Sequence, residues 1–97
     1  MLRHIVMVKF NDFNPLEEIK QELKEKLDRL IGEVDSLMKM DVGLNISTRN
    51  SAFDLVLTAD FDSEEGLNAY RNHPKHVEIL ERLKQVAQKT AVVDYVV

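Results

Sequence analysis

The sequence predicts an α+β fold, a ferredoxin-like β-α-β-β-α-β plait in which two helices cover one face of a four-stranded antiparallel sheet. Two observations predict this fold. Segments with the period of a strand and segments with the period of a helix follow one another in that order. The 97 residues also contain no internal linker, low-complexity segment or strong repeat, which indicates a single domain over residues 1–97.

The first element is a strand over residues 3 to 10, a run of apolar and β-branched side chains. Alternation divides it into two faces, one with His4, Val6, Val8 and Phe10 and the other with Ile5, Met7 and Lys9. Both faces are apolar, whereas the helices of a plait cover only one. We therefore expect a second copy of the chain to cover the other face, giving a homodimer in which the two sheets form an α+β barrel.

A first helix is predicted from residue 14 to about residue 38. Asn14 and Pro15 are typical of a helix start, and Glu17 occupies the position of a capping-box carboxylate. Apolar residues then recur at intervals of three and four, namely Leu16, Ile19, Leu23, Leu27, Leu30, Val34 and Leu37. This spacing predicts one buried stripe.

Two further strands are predicted over residues 40 to 47 and 52 to 61, where apolar and polar side chains alternate, and we expect them to pair as a hairpin. A second helix is predicted to begin at Asp62 to Glu65. Pro74 lacks a backbone donor, so this helix should bend or restart there. Its later part predicts a buried stripe of Val77, Leu80, Leu83 and Ala87. Residues 91 to 97 predict the last strand.

Composition excludes several classes of protein. Thirteen Lys and Arg against 17 Asp and Glu give a net charge of -4 with the signs interspersed, so we expect neither nucleic acid nor a membrane as a partner. The absence of cysteine removes thiolate catalysis and thiolate metal sites. The apolar opening lacks a signal-peptide cleavage site and no stretch has the length of a membrane span, which predicts a soluble, cytoplasmic protein.

The candidate functional residues are concentrated around Pro74. Two of the three histidines lie in Tyr70-Arg71-Asn72-His73-Pro74-Lys75-His76. A bend at the proline can bring Tyr70 and His76 to one gap between helix and sheet, and His4 can face the same gap. No acidic residue at a matching position completes a metal site with His73 and His76, so no metal is expected.

Four segments together resemble the stress-responsive A/B barrel domain family, also called Dabb. They are His4-Ile5-Val6-Met7-Val8-Lys9-Phe10, Asp54-Leu55-Val56-Leu57, the segment from Tyr70 to His76, and Val93-Asp94-Tyr95. The pattern His-Pro-x-His after an aromatic residue is the most specific part. The resemblance covers essentially the whole chain and implies a dimeric α+β barrel.

The resemblance also implies a type of chemistry. Plant members of the family include a cyclase that closes a polyketide ring without a metal or organic cofactor. Carried over by motif, His76 would be the general base, Tyr70 would polarise a carbonyl, and His4 would be the third site residue. These residue types suit the removal of a proton alpha to a carbonyl and the stabilisation of the resulting enolate.

The sequence thus favours cofactor-independent, cyclase- or lyase-like acid-base chemistry on a small carbonyl or polyketide-like compound. Two alternatives stay open. One is a non-catalytic ligand-binding or structural stress-response dimer, in which His73 caps a helix and His4 and His76 are ordinary buried histidines. The other is cofactor-free monooxygenase-like activity. An apolar pocket is expected between sheet and helices, lined or filled by Val6, Val8, Leu23, Leu27, Leu55, Leu57 and His73.

Overall fold

The computed structural model describes residues 1–12 and 16–97. Its elements are β1 (Leu2–Phe10), α1 (Leu16–Arg29), β2 (Lys39–Leu44), β3 (Leu55–Phe61), α2 (Glu64–Asn72), α3 (Pro74–Val86) and β4 (Ala87–Val96). The predicted order of elements is confirmed, with the second helix divided in two. The predicted helix start at Asn14 and Pro15 lies outside the described residues. Within the described ranges, no helix is both long enough and apolar enough to cross a membrane.

The four strands form one antiparallel sheet in the order β2-β3-β1-β4. β1 lies in the centre and pairs with both β3 and β4, so that Val6 is opposite Leu57 on one side and Val92 on the other. Each directly opposed set of residues points to the same face of the sheet. This strand order is that of a ferredoxin-like plait, which confirms the predicted fold class.

The helices cover the face of β1 that carries His4, Val8 and Phe10, all of which are buried. Leucines of the first helix, among them Leu23 and Leu27, complete the core on that side. Burial of these apolar side chains is the main term that stabilises the fold.

The opposite face of the sheet, which we call the open face, is apolar and exposed. Met7 lies beside Val56 on β3, and Ile5 lies beside Val93 on β4. Met7, Val56 and Val93 are 38, 39 and 56% exposed. Tyr95 continues the same row. A contiguous group of apolar side chains of this kind marks an interaction surface.

One ion pair borders the open face. Arg3 donates two hydrogen bonds to the carboxylate of Asp60, at 2.8 and 3.0 Å. The guanidinium holds the pKa of Asp60 below its ordinary value, because it stabilises the charged carboxylate. Two parallel contacts also fix the relative orientation of the two side chains.

The first helix is shorter than predicted. α1 ends at Arg29, well before residue 38, and a 3₁₀ turn at Leu30–Gly32 follows. Val34 and Leu37 are nevertheless buried, because the chain after the turn also packs on the core. The apolar spacing therefore predicted the burial of Val34 and Leu37 correctly, but the helical conformation it predicted for them is wrong.

The hairpin strands are also shorter than predicted. β2 ends at Leu44 because Asn45 begins a local turn, in which the backbone N–H of Ser47 donates to Asn45 Oδ1 at 2.8 Å. Ile46, an apolar position in the alternating pattern that predicted this strand, lies beyond its end and is fully exposed.

The predicted apolar stripe of the last helix is correct at Leu83 and wrong at Val77 and Leu80. Ala87 lies at the start of β4. The buried residues of α3 are His76, Ile79, Leu83 and Val86, whereas Val77 and Leu80 are more than a third exposed. Both sets have helical spacing, so periodicity could not separate them. His76 therefore lies in the buried stripe of α3, where the apolar pattern alone had not placed it.

Candidate active site

The break between α2 and α3 positions the candidate residues. α2 ends at Asn72 and α3 begins at Pro74, so the predicted interruption is confirmed. His73 lies between them and caps α3, because its Nδ1 accepts a hydrogen bond from the backbone N–H of Lys75 at 3.1 Å. His73 does not line the cavity described below, so the predicted pocket role is replaced by the capping role.

We expect His73→Ala to lower the free energy of unfolding by about 1 kcal/mol, the usual cost of losing an N-cap side chain. His73→Asn should recover most of this loss, since asparagine is a strong N-cap residue. Urea denaturation followed by circular dichroism measures both effects. An alanine variant as stable as the wild type would show that the cap contributes nothing.

A cavity of about 580 Å³ lies between α3 and β4. Much of its wall is aliphatic and includes Val6, Leu27, Leu57, Ile79, Leu83 and Val92. His4, Tyr70, Arg71 and His76 also line it. The three residues proposed from the sequence therefore meet at one cavity, whose size suits a small organic ligand.

Only part of the predicted apolar lining is found there. Val6, Leu27 and Leu57 line the cavity. Val8, Leu23 and Leu55 do not line it and are buried in the core. Val8 and Leu55 lie opposite each other in the sheet, farther along β1 from His4 than Val6, and Leu23 lies on α1.

Tyr70 is fully buried between two imidazole rings. Its ring centroid is 4.2 Å from that of His76 and 6.3 Å from that of His4. Burial raises the pKa of the Tyr70 phenol well above its ordinary value, so the hydroxyl keeps its proton. This hydroxyl has no hydrogen-bond partner within residues 1–12 and 16–97, although buried tyrosine hydroxyls usually have one.

His76 has the properties of a neutral base. Its Nδ1 lies 3.1 Å from the carbonyl oxygen of Arg71. Because a carbonyl can only accept, Nδ1 carries the proton and Nε2 keeps a free lone pair in the neutral ring. Burial lowers the pKa of His76 below its ordinary value of 6.5, so this neutral form dominates at neutral pH.

His4 is held by a carboxylate. Its Nδ1 lies 2.5 Å from Asp94 Oδ1, and Asp94 Oδ2 lies 3.2 Å from the guanidinium of Arg71. A carboxylate in this position fixes the imidazole with its proton on Nδ1 and turns Nε2 away from the carboxylate. One acidic residue thus orients one of the two histidines that flank Tyr70.

Sequence reasoning did not assign a role to Asp94 or Arg71. Asp94 lies opposite His4 in the sheet, but the two residues are 90 positions apart and their pairing depends on the register of β1 and β4. The sequence predicted both strands without their register. In the described part of the chain, no three His, Asp or Glu side chains form a group that could hold a metal ion.

The model of the Stress responsive A/B Barrel Domain family matches residues 2–97. The chain belongs to this family. The Dabb chain is 26% identical over 105 residues to the stress-response A/B barrel domain-containing protein DABB1 of Arabidopsis thaliana. That match covers 99% of the Dabb chain but only 47% of DABB1, so the chain spans about half the length of this relative.

Solved structures share the fold of the Dabb chain. A dimeric protein of unknown function with a ferredoxin-like fold from Bacteroides fragilis is 30% identical, with a TM-score of 0.86 and coverage of 97% of this chain and 93% of that one. The hydroxynitrile lyase of Passiflora edulis is 15% identical, with a TM-score of 0.84 and coverage of 99% and 92%. The second likeness shows the fold alone.

Proposed function

We propose that this Dabb chain is a cofactor-independent acid-base enzyme, cyclase- or lyase-like, that acts on a small carbonyl compound. The observation that supports this function is that Tyr70 lines the cavity beside His4 and His76 and that its buried hydroxyl has no hydrogen-bond partner among the described residues. An unpaired buried donor costs on the order of 1–3 kcal/mol, which a ligand oxygen would offset by accepting its hydrogen bond.

The proposed reaction begins with removal of a proton alpha to the ligand carbonyl. The Nε2 lone pair of His76 takes this proton, and the Tyr70 hydroxyl donates to the oxygen on which negative charge develops. Since both groups are buried, their interaction with that charge is stronger than it would be in water. The enolate then attacks a second carbonyl of the same molecule in a cyclase, or expels a leaving group in a lyase. The alkoxide or the leaving group takes the proton back from His76, which restores the neutral base.

The fold comparison is compatible with an enzymatic function. A lyase from Passiflora edulis has the same fold, so the fold can carry an enzyme. The reaction of that protein does not transfer to this chain at 15% identity, because one fold hosts many activities. The proposal therefore depends on His76 and Tyr70.

Exchange of alpha protons for deuterium tests the proposed first step directly. The wild-type protein is incubated in D₂O with a panel of small aryl and alkyl ketones and 1,3-diketones, and loss of the alpha-proton signal is followed by ¹H NMR. We expect exchange faster than in buffer alone for ligands that fit the cavity, and the same rate for the capping variant His73→Asn. No acceleration with any compound would contradict the proposal.

The alternatives predict different results in the same assays. A non-catalytic ligand-binding protein would be stabilised against thermal unfolding by these ketones without accelerating exchange. This alternative is favoured by the capping role of His73, which accounts for one of the three histidines without catalysis. Monooxygenase-like activity would appear as oxygen uptake with an apolar phenol as substrate.

We propose further that residues 1–97 form one domain that pairs with a second copy through the open face. The proposal is supported by the apolar row on this face and by the dimeric relative from Bacteroides fragilis. Two sheets packed in this way bury apolar side chains on both subunits, as in the predicted α+β barrel.

We expect Met7→Arg to convert the dimer to a monomer, because a charge at the centre of an apolar interface loses its hydration without gaining a partner. Val77→Arg is a matched control: Val77 on α3 is 39% exposed and Met7 is 38% exposed, but only Met7 lies on the open face. Light scattering coupled to size-exclusion chromatography measures the mass of each. Dimers in both variants would place the interface elsewhere.

A further inference from the structure

The candidate site combines two histidines and a phenol with an arginine that the proposed reaction does not use. We propose that the substrate is an anionic carbonyl compound, an oxo acid whose carboxylate is bound by Arg71 while its carbonyl faces Tyr70. This inference rests on the proposed function and names the substrate class of the same site.

The charge of the cavity wall supports an anionic ligand. Arg71, Lys84 and Lys89 line the cavity, and none of the described lining residues is Asp or Glu. The whole chain, by contrast, has a net charge of -4. The described charged residues that line the cavity are thus all basic, opposite in sign to the net charge of the chain, and basic groups favour the approach of a negatively charged ligand.

The two lysines are less suited to bind this ligand near the reacting groups. Lys84 lies 3.7 Å from Glu81, and both side chains are about two-thirds or more exposed. The ammonium of Lys89 lies 5.2 Å from the centroid of the Phe53 ring. Arg71, in contrast, is adjacent in sequence to Tyr70, and its carbonyl oxygen accepts from His76.

Arg71 keeps donors for a ligand. Its guanidinium contacts Asp94 Oδ2 at 3.2 Å and Asn68 Oδ1 at 3.3 Å, and a guanidinium has more N–H donors than these two contacts use. Asp94 is shared with His4, which it contacts more closely, at 2.5 Å. A carboxylate of the ligand can therefore bind the planar guanidinium without displacing Asp94.

The aliphatic part of the cavity wall indicates what the remainder of the ligand is. Much of the wall is formed by aliphatic residues such as Val6, Leu57 and Val92, which favour an apolar body. A ligand that matches this distribution has a carbonyl, a nearby carboxylate and an apolar body. Aryl or alkyl oxo acids satisfy these requirements.

Two probes with the same aryl ketone test the inference. 4-Oxo-4-phenylbutanoate and butyrophenone have the same aryl ketone, but the acid has a carboxylate where the neutral ketone has a terminal methyl group. We expect the wild-type protein to accelerate alpha-proton exchange about tenfold more efficiently, as kcat/KM, for the acid, a modest value because Arg71 is partly exposed. Arg71→Gln should abolish this preference, and Arg71→Lys should retain part of it.

Arg82→Gln is the matched control. Arg82 also lies in the helical layer and pairs with a carboxylate, Glu22, but it does not line the cavity. Its replacement should leave the preference unchanged. The wild-type preference should also decrease as ionic strength rises, because salt screens a partly exposed charge pair, and this measurement does not depend on the folding of any variant.

Each outcome separates this inference from the proposed function. If both probes exchange equally well, or if the preference survives Arg71→Gln or is lost in Lys84→Gln instead, the assignment to Arg71 is overturned while the acid-base function stands. A wild-type preference that is independent of salt also overturns it. If neither probe exchanges and the ketone panel is inactive, both proposals fail.

Discussion

His76→Gln is expected to reduce alpha-proton exchange by about 10²- to 10³-fold, the usual contribution of a general base. Glutamine can still donate an amide N–H to the carbonyl of Arg71, the contact that His76 makes at 3.1 Å, so the α2–α3 break should keep its conformation. The exchange assay gives kcat/KM, and thermal unfolding checks that the variant is folded. A folded variant with wild-type activity would remove His76 from the mechanism.

The pH dependence of the same reaction identifies the base. Burial lowers the pKa of His76 below 6.5, so the neutral base is present at and above neutral pH and is lost as pH falls through the lowered pKa. The rate should therefore rise with pH on the acid side and level off above the lowered pKa of His76. His76→Gln should remove this acid limb. An acid limb that persists in the variant would assign the titration to another group.

Tyr70→Phe is expected to change activity and stability in opposite directions. Loss of the hydroxyl removes the donor to the enolate oxygen and should reduce exchange by about 10- to 100-fold. The same change removes a buried hydroxyl with no partner among the described residues, which should raise the free energy of unfolding by about 1 kcal/mol. Exchange kinetics and urea denaturation measure the two effects.

Opposite changes would distinguish a functional hydroxyl from a structural one. A tyrosine retained for packing alone would tolerate the removal of its hydroxyl without loss of activity. Tyr95→Phe is the matched control, because Tyr95 lies on the open face and does not line the cavity. Its exchange rate should equal that of the wild type. A stable, fully active Tyr70→Phe variant would contradict the proposed role.

Local sequence patterns were sufficient for much of this fold. The alternation of β1 assigned His4 and Val8 to one face, and both are buried there. Pro74 predicted the break between the helices, because proline lacks the donor that a continuous helix needs. The pattern from Tyr70 to His76, together with the first strand, predicted the family that the comparison confirms.

Other features could not be predicted because they depend on distant parts of the chain. The apolar spacing after Arg29 continued the helical period, yet Val34 and Leu37 are buried in a segment that is not α-helical. Val8 and Leu55 were assigned to the pocket because they are apolar and lie on the same face as His4 or Leu57, but they are buried in the core and do not line the cavity. Periodicity identifies the apolar faces of an element; it decides neither which of two such faces is buried, as in α3, nor what packs against it.

The sequence by itself determined the order of elements, the division of β1 into two apolar faces and the three candidate residues that meet at the cavity. Which face of β1 the helices cover was decided by the tertiary structure. Only the tertiary structure decided which neighbouring groups orient these three residues and how burial shifts the pKa values of Tyr70 and His76. Asp94 contacts His4 through strand register, and the rotation of α3 places His76 against Tyr70. Local propensity depends on a few neighbouring residues. Strand register and helix rotation depend instead on the packing of the whole core, to which every element contributes.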